Sequence, residues 1–265
     1  TTNWCIASWP SEGWARQVFP ELVPAEAYER LRRELSHVSR LDEPDPAAAW
    51  RARIAELKSA ADRLGEHSFD SLRFSGPGTD LTVGLFRSSA WASGSMERLD
   101  GLESIVNIPT EEVFTTPDPT RVEGVVRATK PLELVGSLVE GIEIRFEAGR
   151  AVQIDAETNV DVLRAVAAKD DGAARLGEVA LVDGSGRIGA LGTVFWNTLL
   201  DENAASHIAL GGSYEFVVAD EAERALANRS EIHVDFMIGS TEVDVDGLTV
   251  EGETVPVLRG GVWQI

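Results

Sequence analysis

The chain has 265 residues, 43% of them hydrophobic, with 44 acidic side chains against 24 basic ones and a formal net charge of -20. That length and composition can bury a core of ordinary size, while the negative field repels a phosphate backbone and argues against a nucleic-acid partner. Cys5 is the one cysteine, which excludes an internal disulfide and a thiolate metal cluster, so any metal site must be built from carboxylates and histidines.

No apolar run approaches the ~20 residues that a membrane span requires, and nothing at the start has the basic and apolar regions of a signal peptide. No membrane partner is therefore expected, and the expected address is cytoplasmic. The chain opens at Thr1 and runs directly into the alternating stretch Trp4-Cys5-Ile6-Ala7-Ser8-Trp9. A start inside a strand pattern reads as a piece of a longer chain.

Three helices are expected next. Ser11 to Phe19 is a short one ended by Pro20, and Pro24 to Val38 carries apolar residues at helical spacing. Asp45 to Leu64 repeats that spacing, with Pro46 in its first turn. From about Phe69 the hydrophobic period changes from 3.6 to 2. Leu72 to Phe74, Leu81 to Phe86 and Ile142 to Phe146 alternate as half-buried strands. A helix is expected from Val160 to Ala168, a strand from Val179 to Val182, and a helix from Asn197 to Leu210 that Gly211-Gly212 stops. A further helix, Asp220 to Asn228, precedes a strand, and the C-terminus reads as hairpins with their clearest turn at Asp246-Gly247. Strands that cluster, instead of interleaving regularly with helices, predict an α+β fold with mixed or antiparallel sheets and packed helices.

Two familiar motifs are excluded. Gly184-Ser185-Gly186-Arg187-Ile188-Gly189 has the spacing of a dinucleotide fingerprint, but Ala190-Leu191-Gly192-Thr193 after it is not a convincing helix start, and a glycine-rich hairpin connection is expected there. A G-x-S-x-G nucleophile elbow is lacking, and four histidines leave few candidates for a triad.

The chemistry concentrates in a few histidines and acids. His37 and His67 lie among polar residues and read as surface. His233 and Asp235 are two apart on a strand, so they share a face while Ile232, Val234 and Phe236 take the other. Such a pair can bind a divalent ion or simply hydrogen-bond, and taken alone it favours the structural role. His207 sits among small residues on the expected helix, where a packing role is the commoner one, and Glu202 could equally face a helix dipole. The adjacent Glu111 and Glu112 face opposite sides of an extended segment, so one of them reaches any given site. Glu178 opens an otherwise apolar strand.

Together these residues resemble a known family. Asn107 to Thr115, Arg121-Val122-Glu123-Gly124, Phe195 to His207 and His233-Val234-Asp235 are similar in order and spacing to the aminopeptidase T and aminopeptidase S metallopeptidases. The resemblance runs over essentially the whole chain and corresponds to the later part of the family's sequence. It implies a catalytic domain over residues 69–265, with residues 1–68 as a helical segment continuing from an N-terminal domain that is missing here.

By resemblance, Glu112, Glu178, His207, His233 and Asp235 would hold two divalent ions (zinc, cobalt or magnesium), between strand and helix elements. Tyr214 matches the family's active-site tyrosine. The implied activity is a metal-dependent aminopeptidase, in which metal-activated hydroxide attacks the peptide bond after a free N-terminus. Tyr214 would donate to the oxyanion, with Glu202 or Glu111 moving the proton. A homodimer is implied as well. The charge balance agrees: three ligand carboxylates and one hydroxide neutralise two divalent ions. Another metal-dependent amidase, or an inactive or binding-only fragment, are the alternatives.

Overall fold

The first helices begin where the sequence supplies their caps. In the computed structural model, which describes residues 4–97 and 100–265, the Ser11 side chain accepts the Trp14 N–H at the start of α1 (Glu12–Val18). α2 (Pro24–Val38) opens on its proline, and α3 (Pro46–His67) is capped by Asp45, which accepts the Ala48 N–H. Four shorter helices follow: α4 (Val160–Ala167), α5 (Arg187–Leu191), α6 (Thr198–Glu202) and α7 (Glu221–Arg224).

The remaining chain forms sheets, so the class is α+β as expected. An eight-stranded antiparallel sheet runs, edge to edge, through Arg150–Asp155, Glu143–Glu147, Pro117–Arg127, Thr79–Leu85, Ser71–Gly76, Asp244–Leu248, Thr254–Arg259 and Val262–Trp263. A second antiparallel sheet has the order His233–Met237, His207–Gly211, Leu176–Val182, Glu112–Thr115 and Ala92–Ser93. The Trp4 to Trp9 stretch is a strand only at Ile6–Ala7, which pairs in parallel with Asn107–Ile108.

One continuous apolar cluster joins the two sheets to α3. It contains Leu72, Phe74, Leu81, Val83 and Val122 from the larger sheet, Val113, Val179, Leu181, Ile208, Leu210 and Phe236 from the smaller, and Ile54, Leu57 and Leu64 from α3. Burying side chains of this size is the main favourable term in folding, worth roughly 1.5–3 kcal/mol each. A second cluster packs α1 and α2, through Phe19, Leu31 and Leu35, onto Ile188, Phe195 and Leu200. Among the described residues, no helix is long and apolar enough to cross a membrane.

Four local expectations are corrected. The helix expected over Asn197 to Leu210 ends at Glu202, and His207–Gly211 is a strand between two antiparallel neighbours. Its alternation, with His207, Ala209 and Gly211 on one side and Ile208 and Leu210 on the other, suits a sheet position whose backbone hydrogen bonds are satisfied on both edges. Asp246-Gly247 is not a turn but the middle of the strand Asp244–Leu248. Gly247 is needed there because a Cβ would lie 2.2 Å from the Phe69 ring. The hairpin closes just beyond, where the Thr249 N–H donates to the Glu253 carbonyl. The glycine-rich Gly184 to Gly189 stretch leads into the short helix α5 instead of a hairpin. Its close packing explains Gly189, whose Cβ would stand 2.3 Å from the Gly184 carbonyl. The helix expected over Asp220 to Asn228 shortens to α7.

Candidate metal centre

The smaller sheet assembles the site through its register. Directly opposed residues on antiparallel strands point to the same face. The register opposes Glu112 to Val182, Phe114 to Ala180, Ala180 to His207, Glu178 to Ala209, Ala209 to Asp235, and Gly211 to His233. Glu112, Glu178, His207, His233 and Asp235 therefore share one face, while the alternate residues enter the core. Ala180 and Ala209 lie between them and leave room for the longer acids and imidazoles to converge. The sequence offered no way to see this, because register between distant strands is set by pairing and not by local pattern.

The convergence is close. His207 Nε2 lies 3.0 Å from a Glu112 carboxylate oxygen, and His233 Nε2 lies 3.0 Å from Glu178 and 3.2 Å from Asp235. Ligand atoms of Glu112, Glu178 and His207 fall within 4.8 Å of one another, as do those of Glu178, His233 and Asp235. Glu178 belongs to both groups. It is 3% exposed and His207 1%, whereas the His233 side chain keeps 28% exposure toward the entrance.

Backbone carbonyls orient both imidazoles. His207 Nδ1 faces the Ala205 carbonyl at 3.2 Å, and His233 Nδ1 faces that of Gly212 at 2.8 Å. With each Nδ1–H donated to a carbonyl, Nε2 points into the acids and donates its proton to them, and it would offer a lone pair where a metal ion displaces that proton, an arrangement typical of metal-ligating histidines. The Asp235 Oδ1 oxygen is buried and forms no well-directed hydrogen bond. The nearest positive group to it is His233 Nε2 at 3.2 Å, and a divalent ion would satisfy it more fully. Two imidazoles and three carboxylates thus fit divalent ions.

The electrostatics follow from the same crowding. Burial, reinforced by the charges of Asp235 and Glu112, pushes the Glu178 carboxyl up to about 7 although its hydrogen bond to His233 opposes the rise. Burial pulls the His207 imidazole down, but its hydrogen bond to Glu112 and the surrounding carboxylates outweigh that and push it up to about 10. His233 reaches about 11 for the same reason, through Asp235 and Glu178. Burial acts to raise Asp235 too, but contact with His233 holds it below the usual carboxylate range. A cluster with this surplus of negative charge holds protons tightly, and it attracts divalent cations on the same grounds.

Two further expected residues adjoin the cluster. Glu202, at the end of α6, lines the same cavity, and burial together with the charges of Asp235 and Glu112 raises its carboxyl well above the usual range. Tyr214 lies at the mouth, its ring 5.2 Å from the His233 ring, and its phenol is raised by burial and by Glu178 and Asp235. Glu111 is placed elsewhere. Its carboxylate points to the opposite side from Glu112 and is paired with Arg40 and Arg53. His37 is half-buried against Asp42, and His67 is exposed.

The cavity beside the acids measures about 260 Å³, and Phe114, Phe216, Tyr214 and Met96 contribute to its wall. Phe114 and Phe216 were not anticipated from sequence. Period-2 alternation from Glu112 carries the signal for Phe114, whereas only the tertiary fold brings Phe216 to within 6.4 Å of the Phe114 ring.

Comparisons with known proteins identify the family. The family described as thermophilic metalloprotease (M29) matches residues 1–263. Aminopeptidase T of Thermus aquaticus is 48% identical over all of this chain, which spans 66% of that protein's length. Aminopeptidase AmpS of Bacillus subtilis (strain 168) is 39% identical over 98% of the chain and 65% of its own length. The solved structure of wild-type AmpT from Thermus thermophilus superposes with a TM-score of 0.93 at 47% identity, covering all of this chain and 66% of that one. The chain belongs to the thermophilic metalloprotease family M29.

Proposed function

We propose that this chain carries the catalytic centre of a metal-dependent aminopeptidase, which hydrolyses the first peptide bond of substrates with a free N-terminus. The observation that carries the reading is the pair of ligand groups sharing Glu178, with both Nε2 atoms aimed inward. Glu112, Glu178 and His207 would hold one ion and Glu178, His233 and Asp235 the other. Imidazole ligands favour zinc or cobalt over magnesium. Such ions supply Lewis acidity, bringing the pKa of a coordinated water toward 7 and polarising a carbonyl.

The protein's own groups would do the rest. The Tyr214 hydroxyl donates a hydrogen bond to the oxygen that becomes negatively charged as the peptide carbonyl is attacked. Glu202, within the same cavity, would act as a carboxylate that takes up a proton from water and, as the carboxyl so formed, passes it to the leaving amine nitrogen. Surplus carboxylates around the cavity attract the substrate's α-ammonium group, which favours cleavage at the N-terminal residue. The aromatic wall excludes water from the reacting atoms. A homodimer and a cytoplasmic address complete the reading. The homodimer rests on the family resemblance.

The test is to strip the chain of metal, add Zn²⁺ or Co²⁺, and follow release of the chromophore from an aminoacyl p-nitroanilide beside its N-acetylated counterpart. Restored turnover of the free-amine substrate alone is expected. Metal binding without turnover would favour a binding-only piece. In His233→Ala or Asp235→Ala, full metal occupancy would sink the ligand assignment.

A further inference from the structure

Glu111 is 1% exposed, yet it is not one of the clustered acids. Its Oε2 lies 2.6 Å from Arg53 Nη2 on α3, and its Oε1 lies 3.1 Å from Arg40 Nη2 just beyond α2. Arg40 is itself buried, holds a left-handed backbone at φ 57°, and stacks its guanidinium over the Trp50 ring at 4.6 Å. Trp50 donates in turn to the Ser39 carbonyl at 2.9 Å, so the arginine has little freedom to move. On the far side, a Cβ added to Gly186 would stand only 3.2 Å from the Glu111 carboxylate. The residue is enclosed.

Its backbone is held as firmly. The Glu111 N–H donates to Asn203 Oδ1 at 2.6 Å, and the buried Asn203 side chain donates to the Leu199 carbonyl at 2.9 Å. Asn203 follows Glu202 directly. Two neighbouring dipeptides are thus joined back to back. In each, one residue enters the cavity (Glu112, Glu202) and the other is locked behind it (Glu111, Asn203).

We infer that Glu111 and Asn203 are positioning residues, a clamp that holds Glu112 and Glu202 at a constant separation, with Arg40 and Arg53 tying that clamp to the helical segment. This rests on the metal-centre reading above. Alternation at the start of the Glu112 strand means that any rotation of the Glu111 backbone also turns Glu112 away from His207. The buried Arg40 and the partly buried Arg53 resist that rotation because both would lose their carboxylate. The clamp acts on one side of the centre only. His233 and Asp235 belong to the far edge strand and gain nothing from it.

That asymmetry supplies the test. In Glu111→Gln, which keeps the volume and removes the charge, Zn²⁺ competition against a fluorescent chelator should show one of the two ions bound about tenfold or more weakly, the scale expected for loss of a group that orients a ligand. The other ion should keep its wild-type affinity. Glu111→Asp, which retains the charge, should recover part of the loss. Phe74→Leu, a core change in the larger sheet, which supplies none of the clustered acids and histidines, should lower the melting temperature with both affinities unchanged. If Glu111→Gln does not fold, Asn203→Ala tests the same clamp, and selective weakening of one ion is again expected. Wild-type affinity for both ions in a folded variant would overturn the clamp, as would equal weakening of both that tracks the melting temperature. A wild-type chain that binds no ion pair would overturn the metal reading, and the clamp with it.

Discussion

Replacing the shared ligand, Glu178→Gln, should reverse its effect on stability according to whether metal is present. Glu178 is buried with a folded-state pKa of about 7 against an ordinary value of 4.5. The folded state therefore binds the extra proton, and stability falls as pH rises through the interval from 4.5 to 7. The penalty is about 1 kcal/mol at pH 5 and about 3 kcal/mol at pH 8.5, from 1.36 kcal/mol per pKa unit. Glutamine fills the same space and does not ionise. The metal-free variant should thus be more stable than the metal-free parent at pH 8.5, by roughly 5 °C in melting temperature for a chain of this length, and close to it at pH 5. With Zn²⁺ the order should invert. The parent gains about 2.7 kcal/mol for each ion present at a hundred times its dissociation constant, while the variant has lost a donor common to both groups. Differential scanning fluorimetry in chelator and in Zn²⁺, at the two pH values, reads all four states. A metal-free variant less stable than its parent at pH 8.5 would refute the reasoning.

Tyr214→Phe should lower kcat about 10²–10³-fold, the usual scale for one oxyanion donor, with metal content unchanged by elemental analysis; an unchanged kcat would remove the tyrosine from the reaction. Phe216→Ala should raise KM for substrates with a large apolar N-terminal side chain more than for alanyl substrates, because it takes away part of the cavity's aromatic wall; a uniform change across an aminoacyl panel would show that the wall does not select. Gly124→Ala should destabilise by several kcal/mol, since the residue has φ +116° and its Cβ would stand 2.0 Å from the Asp80 carbonyl; wild-type denaturant unfolding in that variant would contradict the strand packing.

Local rules made much of the chain legible. Caps and helical spacing located α1, α2 and α3 because those signals act within one turn of backbone. The segment around His207 misled for the opposite reason. Its small residues and the glycines after it satisfy a helix and its stop, and only the strands on either side, Leu176–Val182 and His233–Met237, make an extended backbone the better hydrogen-bonded state. Asp246-Gly247 misled likewise: a dipeptide that favours a turn is held extended by the Phe69 ring and two neighbouring strands.

The candidate site divides along the same line. By itself the sequence determined that His233 and Asp235 share a face and that Glu111 and Glu112 do not, since side chains alternate on any extended strand. It could not determine which glutamate faces the acids. Arg40, just beyond α2, and Arg53 on α3, both far away in sequence, draw Glu111 to their side and leave Glu112 to His207. Nor could it bring four strands into a register that makes Glu178 common to both groups. Alternation is a property of one backbone, whereas convergence depends on pairings between segments separated by tens of residues, and those are decided only when the whole core is buried.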